Sequence, residues 1–551
     1  SAIVCLVFAA IIAANVVEAQ TWAPPVGVPA PPFGVTQVAG SYTHYVDNTS
    51  ASATDTSNPN GSPAKPRRTI PTSLAAGSVV EVHGGPYTYS SDPTWSASGT
   101  SASPVFVRGV GQPVLNGGGS LREFTLSGAY GIVEGFVLDG MQVRLQGNHL
   151  ALRSSEVKNY SPTSNSAAVG GSGTYLVVYG NNIHHNGNAA STDEVDIHAV
   201  KFVSGSSSVW VLDNVIHENG GDEIQLGDAD SSEPWVHHVY FGGNTGYGSR
   251  ENCVDIKRAR DVIVSQNDCS GYKASSSSSG ETIVVHNAPE RVWILYNKIH
   301  DSNLGIVTSS NEDSPIYVVG NVFYRIQHTG SSYDPTNLYG AGHAIQSWTT
   351  GEIHIVNNTF QDVDAGIAYA GGNAATVRIV NNVMGRLLQS SHHIALESGA
   401  ASNSTVSNTL MLAPSRIKWG SSTVRTVDSF KSAYPAQCGG CTDQDPLFAN
   451  AASYDLRPTD GSPAIDTAVG DPVYDTFESL YGISIERDIT GTGRPQGYTW
   501  DMGAYEGAGG TAPDPVFVSV GDVSVTEGNS GSTPATFTVT LSAASSDTVT
   551  V

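Results

Sequence analysis

Charged residues are scarce in this sequence, and those of positive sign are the scarcest. Asp, Glu, Lys and Arg make up 14% of the 551 residues, and 26 Lys and Arg against 50 Asp and Glu leave a formal net charge of −24. So few cations argue against nucleic acid as a partner, because binding to phosphates demands clustered positive charge. Helix-forming residues such as Lys, Glu and Leu are sparse, which argues against a solenoid built from helices.

Long apolar runs are missing after the first residues. Ala2–Ala14 is apolar but too short to span a bilayer, and Val17-Glu18-Ala19 offers a small-residue cleavage site. This pattern predicts a signal peptide over residues 1–19. We therefore expect no membrane span, and a mature protein that is secreted or held at the cell surface.

Cysteine is nearly absent from the mature chain. Cys5 falls in the predicted signal peptide, which leaves Cys253, Cys269, Cys438 and Cys441. Cys438-Gly-Gly-Cys441 has a spacing found in redox and zinc sites, but no second pair accompanies it. Because export favours oxidation, we predict a local Cys438–Cys441 disulfide and keep zinc as the alternative.

The chain divides by composition into several segments. Residues 20–40 carry five prolines and predict an extended or disordered linker. Residues 41–435 consist of short apolar stretches separated by Gly, Asn and Ser. Residues 436–506 differ from that pattern and predict a segment that caps an open end of the sheet. A second linker follows at 507–515, and residues 516–551 form a separate β-segment.

An internal repeat is the strongest signal in the sequence. A short β-run ending in Asn recurs at 23- to 37-residue intervals, about one coil of a β-solenoid with loops of variable length. Asn suits such a turn because it tolerates the left-handed backbone region and its amide can bond the same residue in the next coil. The expected ladder consists of Asn181, Asn214, Asn244, Asn267, Asn297, Asn321, Asn358 and Asn382.

A second series of β-runs precedes the Asn runs and aligns into columns. Side chains of a strand alternate between its faces, so the central Val and Ile of each run point inward. The columns on either side of them, and the position two residues further on, then point outward. The aligned runs begin Ala199-Val200-Lys201, Glu223-Ile224-Gln225, Cys253-Val254-Asp255, Thr282-Ile283-Val284, Gly305-Ile306-Val307, Ala344-Ile345-Gln346 and Gly366-Ile367-Ala368.

The outward columns converge on one patch around Lys257. This lysine shares a strand face with Asp255, has His286 one coil above it and has Gly227 below it. Seven of the 26 Lys and Arg residues fall between Arg250 and Lys298, which predicts a local reversal of the negative field. Carboxylates crowd the same turns and are candidate calcium ligands: Asp222, Glu223, Glu251 and Asp255.

This mixture suits β-elimination from a uronic-acid polysaccharide. Calcium neutralises the sugar carboxylate, a base removes the proton beside it, and an acid serves the leaving oxygen. Lys257 is the candidate base, because neighbouring cations can lower the pKa of a lysine. The remaining candidate catalytic residues are His286, Arg258 and Arg260, and the candidate substrate-binding residues are Lys201, Gln225, Arg291 and Trp348.

The Asn ladder and the strand-borne lysine beside acidic residues resemble the pectate-lyase-like superfamily, from about Tyr42 to Gly420. The resemblance implies an all-β, right-handed parallel β-helix and a lyase activity. In the alginate lyase/chondroitinase B pattern an Arg stands one coil beyond the catalytic Lys, whereas this sequence has His286 there. The run Ser524–Gly531 resembles the start of a Calx-β domain, which implies a truncated, calcium-binding β-sandwich.

Two other functions stay open. A β-helix glycoside hydrolase or epimerase could use Asp222 and Asp255, although no paired Asp-Asp run lies on the strands. A non-catalytic adhesin could use the solenoid only as a glycan-binding face, with Trp348 and Tyr369 as a stacking platform. In each case the expected partner is a polysaccharide, acidic for the lyase, and we expect a monomer. His184, His217 and His300 follow the ladder at one offset and predict a stacked, structural row.

Overall fold

A computed structural model describes residues 22–35, 41–191, 195–228, 234–276, 278–309, 314–328, 340, 342–370, 375–389, 391–507, 518–526, 528–532 and 534–541. The predicted signal peptide and most of the second linker lie outside these residues. None of the helices in the described ranges has the length and hydropathy needed to cross a membrane.

The chain folds into a parallel β-helix, as predicted. Each coil contributes strands to three faces, which we call the site face, the flank face and the third face. Four long strands run through both the site face and the flank face, and beyond them the two faces separate into distinct columns. The core between the faces is filled by Val, Ile, Leu and Phe side chains that are almost fully buried.

The strands of each face stack in chain order. The four shared strands are Arg122–Glu134, Met141–Arg153, Ser166–Tyr179 and Ile197–Leu212. The site face adds Ser73–Ala75, Thr94–Ser98, Ile224–Leu226, Val254–Ile256, Glu281–Val285, Leu304–Thr308, His343–Ser347, Ala365–Tyr369, Ile394–Leu396 and Ile417–Trp419. The flank face adds His44–Asp47, Val79–His83, Val105–Gly109, Val236–Gly242, Ala259–Ser265, Glu290–Leu295, Ile316–Val319, Glu352–Val356, Thr376–Val380 and Thr405–Ser407.

The third face is narrower, and a few elements lie outside the coils. The third face consists of Tyr87–Thr88, Val114–Asn116, Val137–Asp139, Glu156–Lys158, Asn182–His184, Val215–His217, Thr245–Tyr247, Asp268–Ser270, Lys298–Ser302, Val322–Ile326, Thr359–Val363, Val383–Met384, Leu410–Met411 and Thr442–Asp443. The remaining elements are the helices Ser398–Ala401, Val427–Ala433 and Pro472–Tyr481, the 3₁₀ turn Ala451–Ser453, and the antiparallel pairs Phe448–Asn450 with Asp455–Pro458 and Val518–Val520 with Val539–Leu541.

The predicted asparagine ladder is confirmed along its whole length. From Asn181 to Asn382, each buried side-chain amide donates to the amide oxygen of the Asn in the next coil, at 2.9 to 3.1 Å. A second ladder, which the sequence analysis missed, joins Asn186 to Asn219 in the same way at 3.0 Å. These networks satisfy backbone groups at the corners of the coils, where no strand partner is present.

The left-handed backbone does not belong to the ladder asparagines themselves, contrary to our expectation. It belongs to the residue that precedes each of them, with φ between 53° and 70°: Gly180, Asp213, Gly243, Gln266, Tyr296, Gly320, Asn357 and Asn381. The turn therefore needs two adjacent residues with separate tasks, one to reverse the chain and one to bond the next coil.

The flank face is covered by two segments, one that precedes the coils and one that follows them. Residues 22–35, which we expected to be extended or disordered, pack along it: Trp210 Nε1 donates to the carbonyl of Pro29 at 2.9 Å, and Val28 is buried. At Gly27, with φ +78°, an added Cβ would lie 3.0 Å from both Leu295 and Phe477. Only glycine fits this approach without strain.

The predicted capping segment 436–506 begins at the last coil, where Cys438 and Cys441 belong to the solenoid core, and its later part packs along the flank face. Its helix Pro472–Tyr481 places Phe477 edge-on to the ring of Trp293, and Tyr296 donates to the carbonyl of Ile485 at 2.6 Å. The helix Val427–Ala433 also lies at the last-coil end of the core, to which its Val427 and Phe430 belong. Apolar side chains on the outer surface of the flank face, such as Trp293 and Leu295, explain the packing of the later part along this face, and the alternation within a single strand does not predict it.

Two disulfides are present among the described cysteines. Cys438–Cys441 is the predicted local bridge. Cys253–Cys269 was not predicted, and it crosses the interior from the start of a site-face strand to the third face. His184 and His217 stack at 4.8 Å as expected, whereas Tyr247 and Ser270 separate them from His300 in the same column.

Candidate active site

The predicted register of the site face is confirmed, and it brings several candidate residues together. Lys201 pairs with Gln225, Gln225 with Asp255, and Asp255 with Val284 in successive coils. The side chains of Gln225, Asp255 and Val284 point away from the core and line a polar pocket of about 590 Å³. The pocket is lined by Asp196, Gln225, Glu251, Asn252, Asp255, Lys257, Ser275, Ser276, Ser278, Ser279, Glu281, Val284 and His286.

Asp255 is the centre of the site, because its carboxylate contacts both Lys257 and His286. One carboxylate oxygen lies 2.9 Å from Lys257 Nζ, and the other lies 2.7 Å from His286 Nε2. Burial acts to raise the pKa of Asp255, but the hydrogen bond of His286 and the charge of Lys257 outweigh it and hold that pKa well below its usual range. Asp255 is therefore a fixed negative charge at the base of the pocket.

The pKa of Lys257 is raised, which contradicts the expectation that it is lowered. Burial acts to lower it, but the charge and hydrogen bond of Asp255, with Asp222 and Glu251 further away, prevail. Lys257 is a cation at neutral pH and cannot accept a proton in this state. The assumed effect of Arg258 and Arg260 is wrong, since neither lines the pocket.

The arginines proposed for catalysis and binding lie elsewhere. Arg258 stacks over the ring of Trp235, with its guanidinium carbon 5.3 Å from the ring centroid. Arg260 is exposed on the flank-face strand Ala259–Ser265. Arg291 makes a bidentate pair with Asp261 at 2.6 and 2.8 Å, under the helix of the C-terminal segment. The predicted roles of these three arginines at the Lys257 patch therefore fail on geometry.

The local excess of positive charge is also absent from the pocket. Four carboxylates line it, against Lys257 and His286. Arg250, a basic residue beside the pocket, pairs with Asp196 and lies 3.8 Å from Glu251. Clustering of basic residues in sequence failed as a guide because successive residues of a coil face different sides of the solenoid. The pocket is acidic.

Next to Asp255 lies a buried group made of His198, Asp222 and Glu251. One ligand atom from each lies within 4.8 Å of the others. Gln225 Nε2 lies 3.2 Å from an oxygen of Asp222 and 3.2 Å from an oxygen of Asp255, so its amide joins the two carboxyl groups. Burial and then the charge of Asp255 raise the pKa of Asp222 well above normal.

His198 was missed by the sequence analysis. It lies two residues before Val200 and beside Asp222 of the next coil. Because Val200 points inward, this two-residue offset could have identified His198 as a neighbour of Asp222. The amide N–H of Asp222 donates to His198 Nδ1 at 3.1 Å. Burial lowers the pKa of His198 to about 4, so the imidazole is neutral and its proton is on Nε2.

Glu223 is not part of this group, and the prediction that it faces outward is wrong. It is 1% exposed and lies inside the solenoid, where a Cβ added to Gly246 of the third face would clash with its carboxylate. Burial raises the pKa of Glu223 well above normal. The strand proper starts at Ile224, so at this corner two successive residues both turn inward and strict alternation fails.

Of the remaining candidates, Trp348 lies on the outer surface of the site face and Tyr369 does not. Trp348 packs over Ala368, Ala370 and Ala395, two coils beyond His286. Tyr369 is fully buried in the core and donates to the carbonyl of Thr349, so its predicted role in a stacking platform is wrong. Lys201 lies one coil before Gln225 and outside the pocket lining; burial lowers its pKa.

Comparisons with known proteins give structural likenesses alone. No family model matches the chain, and no curated protein matches it. Pectate lyase Pel9A is 12% identical, with a TM-score of 0.42 and coverage of 85% of this chain and 97% of that one.

Two further solved structures are similar at the same level. A mannuronic acid specific polysaccharide family 6 lyase from human gut microbiota is 13% identical, with a TM-score of 0.42 and coverage of 62% and 81%. The GH136 lacto-N-biosidase from Eubacterium ramulus is 10% identical, with a TM-score of 0.38 and coverage of 68% and 67%. At these sequence identities and TM-scores, the structural similarity gives no information about the activity of this chain.

Proposed function

We propose that the chain is a secreted polysaccharide lyase that cleaves a uronate-containing glycan by β-elimination. The observation that supports the proposal is the contact of Asp255 with both Lys257 and His286 at the bottom of an open pocket. It supplies a positive charge for a sugar carboxylate and an oriented imidazole within one pair of adjacent coils. The site face continues beyond it as a surface along which a polymer can lie.

In this proposal Lys257 neutralises the sugar carboxylate and His286 is the base. Because Nε2–H of His286 donates to Asp255, its Nδ1 carries the lone pair that takes the proton from C5. The C–H electrons form the C4–C5 double bond as the C4–O bond breaks. Water in the open pocket protonates the leaving oxygen. Asp255 holds the imidazole in the required tautomer, as a carboxylate does beside other catalytic histidines.

An additional cation is part of the proposal, because the pocket itself is acidic. Asp222 and Glu251 would hold it, with His198 at their side. Burial and the charge of Asp255 disfavour the ionised form of Asp222 and raise its pKa, and a divalent cation would stabilise that ionised form. Calcium prefers six to eight oxygen ligands, so the two carboxylates fit it and the histidine nitrogen does not. When bound, the cation would supply further neutralisation of the uronate.

A glycoside hydrolase is the second candidate, favoured by one observation. Asp222 and Asp255, joined through Gln225, have pKa values displaced in opposite directions, as an acid and a base of a hydrolase require. Against it, Asp222 is 1% exposed and does not line the pocket, so it would not contact a sugar placed there.

A panel of polysaccharides tests the proposal. Alginate, pectate, chondroitin and neutral glycans are incubated with the protein, and ultraviolet absorbance of the unsaturated product is followed together with reducing ends. Absorbance growth on an acidic glycan supports the lyase, and loss of that growth after chelation supports the cation. New reducing ends without absorbance indicate the hydrolase. Binding without any cleavage contradicts both and indicates an adhesin.

A further inference from the structure

A second group of ligating side chains lies on the outer surface of the third face, away from the pocket. One ligand atom from each of His185, His217 and Glu218 lies within 4.8 Å of the other two. Glu218 Oε2 is 3.5 Å from His185 Nε2 and 2.9 Å from His217 Nδ1. Ligand atoms of a tetrahedral site are about 3.3 Å apart when metal–nitrogen bonds are about 2.0–2.1 Å, so small movements suffice.

We propose that His185, His217 and Glu218 bind a divalent transition cation of the zinc, copper or nickel type. Two imidazole nitrogens and one carboxylate oxygen suit these metals. Calcium and magnesium prefer oxygen ligands throughout and are excluded as preferred occupants. A fourth position remains for water.

The proton positions around His185 already suit a metal ligand. His184 Nε2 lies 2.9 Å from Glu156 Oε1, so it donates there and its Nδ1 is an acceptor. His185 Nδ1 lies 2.7 Å from His184 Nδ1 and must therefore be the donor. This leaves the lone pair on His185 Nε2, the nitrogen that faces Glu218. Such carboxylate–histidine chains hold metal ligands in orientation.

His217 is held in place by stacking. Its ring lies between those of His184 and Tyr247, at centroid distances of 4.8 and 4.7 Å and nearly parallel to both. In the free protein Nδ1–H of His217 donates to Glu218, and metal binding would displace that proton. The site thus joins two adjacent coils, one carrying His185 and the other carrying His217 and Glu218.

The corner residue after the third-face strand has a left-handed backbone in successive coils, and His185 and Glu218 occupy this position with φ values of 53° and 54°. The two following coils have Gly248 and Gly271 there, and later coils have Asp301 and Arg325. Glycine therefore fits this corner, so a glycine substitution at His185 keeps the backbone conformation.

The chain contains a matched control. His237 and His238 repeat the pair His184–His185, with the same 2.7 Å separation of their Nδ1 atoms, and His238 has a φ of 56°. Within the part of the chain that the structure describes, no third side chain lies close enough to complete a metal site with His237 and His238. His185→Gly and His238→Gly therefore make the same chemical change at two exposed left-handed positions, and both relieve backbone strain.

Zinc chloride is titrated by calorimetry into untagged, chelator-stripped protein in the presence of saturating calcium, and unfolding temperature is measured in parallel. We expect one zinc per chain, with affinity lowered at least about tenfold in His185→Gly and unchanged in His238→Gly. Zinc should raise the unfolding temperature of the wild type but not of His185→Gly. Glu251→Gln, which alters the pocket, should bind zinc as the wild type does.

Three results would overturn the site. Equal affinity of wild type and His185→Gly excludes these ligands. Equal losses in His185→Gly and His238→Gly indicate nonspecific binding to surface imidazoles. Loss in Glu251→Gln alone places zinc in the pocket. None of these results depends on whether the protein cleaves a polysaccharide, so failure here and failure of the lyase proposal remain distinguishable.

Discussion

Asp255 and His286 face each other across adjacent coils, with the carboxylate oxygen 2.7 Å from the imidazole Nε2. The pair exists because the strands Val254–Ile256 and Glu281–Val285 stack in exact parallel register, which carries Lys257 and His286 into one column beyond the strand ends. The same carboxylate holds Lys257 as a cation. His286 keeps a free lone pair on Nδ1 and can act as the base, whereas Lys257 is protonated and can supply only positive charge.

Replacing His286 or Lys257 should separate these two roles. His286→Ala removes the proton acceptor, and we expect kcat of elimination to fall at least about 100-fold. Lys257→Met removes the charge that binds the sugar carboxylate and should mainly raise KM. Arg260→Ala, an exposed arginine of the flank face, is the control and should leave both constants unchanged. A near-normal kcat in His286→Ala, with the large loss in Lys257→Met, would return the base role to Lys257.

Trp348 should contribute binding to long substrates. Its ring packs over three alanines two coils beyond His286, and coils about 4.8 Å apart match the spacing of successive sugar rings in order of magnitude. We expect Trp348→Ala to raise KM about tenfold on a long polymer with little change in kcat, and to have less effect on short oligomers. Tyr498→Ala, at an exposed aromatic of the C-terminal segment, should leave KM unchanged. Equal effects on long and short substrates would contradict a remote subsite.

Asn297 should be among the most costly polar residues to remove. Its fully buried amide donates to Asn321 and to the carbonyl of Val264, and its oxygen accepts from Asn267. Asn297→Ala leaves several buried groups unsatisfied, and we expect a loss of at least about 3 kcal/mol in the free energy of unfolding. Asn182→Ala, an exposed asparagine of the third face, should change stability by less than about 0.5 kcal/mol. Denaturant titration of both variants measures the difference.

Burial of His393 predicts an acid-sensitive fold. Burial lowers its pKa to about 4 from the ordinary 6.5, while its two nitrogens bond the amide of Arg416 and the carbonyl of Gly385. The folded protein therefore binds fewer protons than the unfolded chain between these values. Its contribution is present above pH 6.5 and is lost as pH falls towards 4, by up to roughly 3 kcal/mol.

The variant His393→Gln tests this contribution. It cannot titrate in this range, so its unfolding free energy should depend less steeply on pH between 6.5 and 4 than that of the wild type. Absolute stability is not the readout, because glutamine does not reproduce both hydrogen bonds. Identical slopes for the two proteins would contradict the buried neutral histidine.

The fold and most of the site-face register were predictable from sequence because strand alternation and the Asn turns repeat in every coil. The failures have specific physical causes. At the corner before Ile224 the chain turns, so Glu223 points inward although alternation places it outward. Arg258 and Arg291 are close to Lys257 in sequence or coil number but face other sides. The face of the coil on which a loop residue lies depends on the geometry of the corner. The periodicity of the sequence does not predict that geometry.

Residues 22–35 and the helix Pro472–Tyr481, which cover the flank face, relate the number of coils to the placement of two segments outside them. A repeat array in which each coil contacts only its neighbours can gain or lose a repeat with little effect elsewhere. Here Gly27 lies against Leu295, Phe477 and Ile485, so two distant segments are matched to particular coils and to each other. Deleting or duplicating a coil between Asn181 and Asn382 would shift one segment by a full step relative to the other. We therefore expect this solenoid to tolerate a change of length in its loops more readily than the gain or loss of a whole coil.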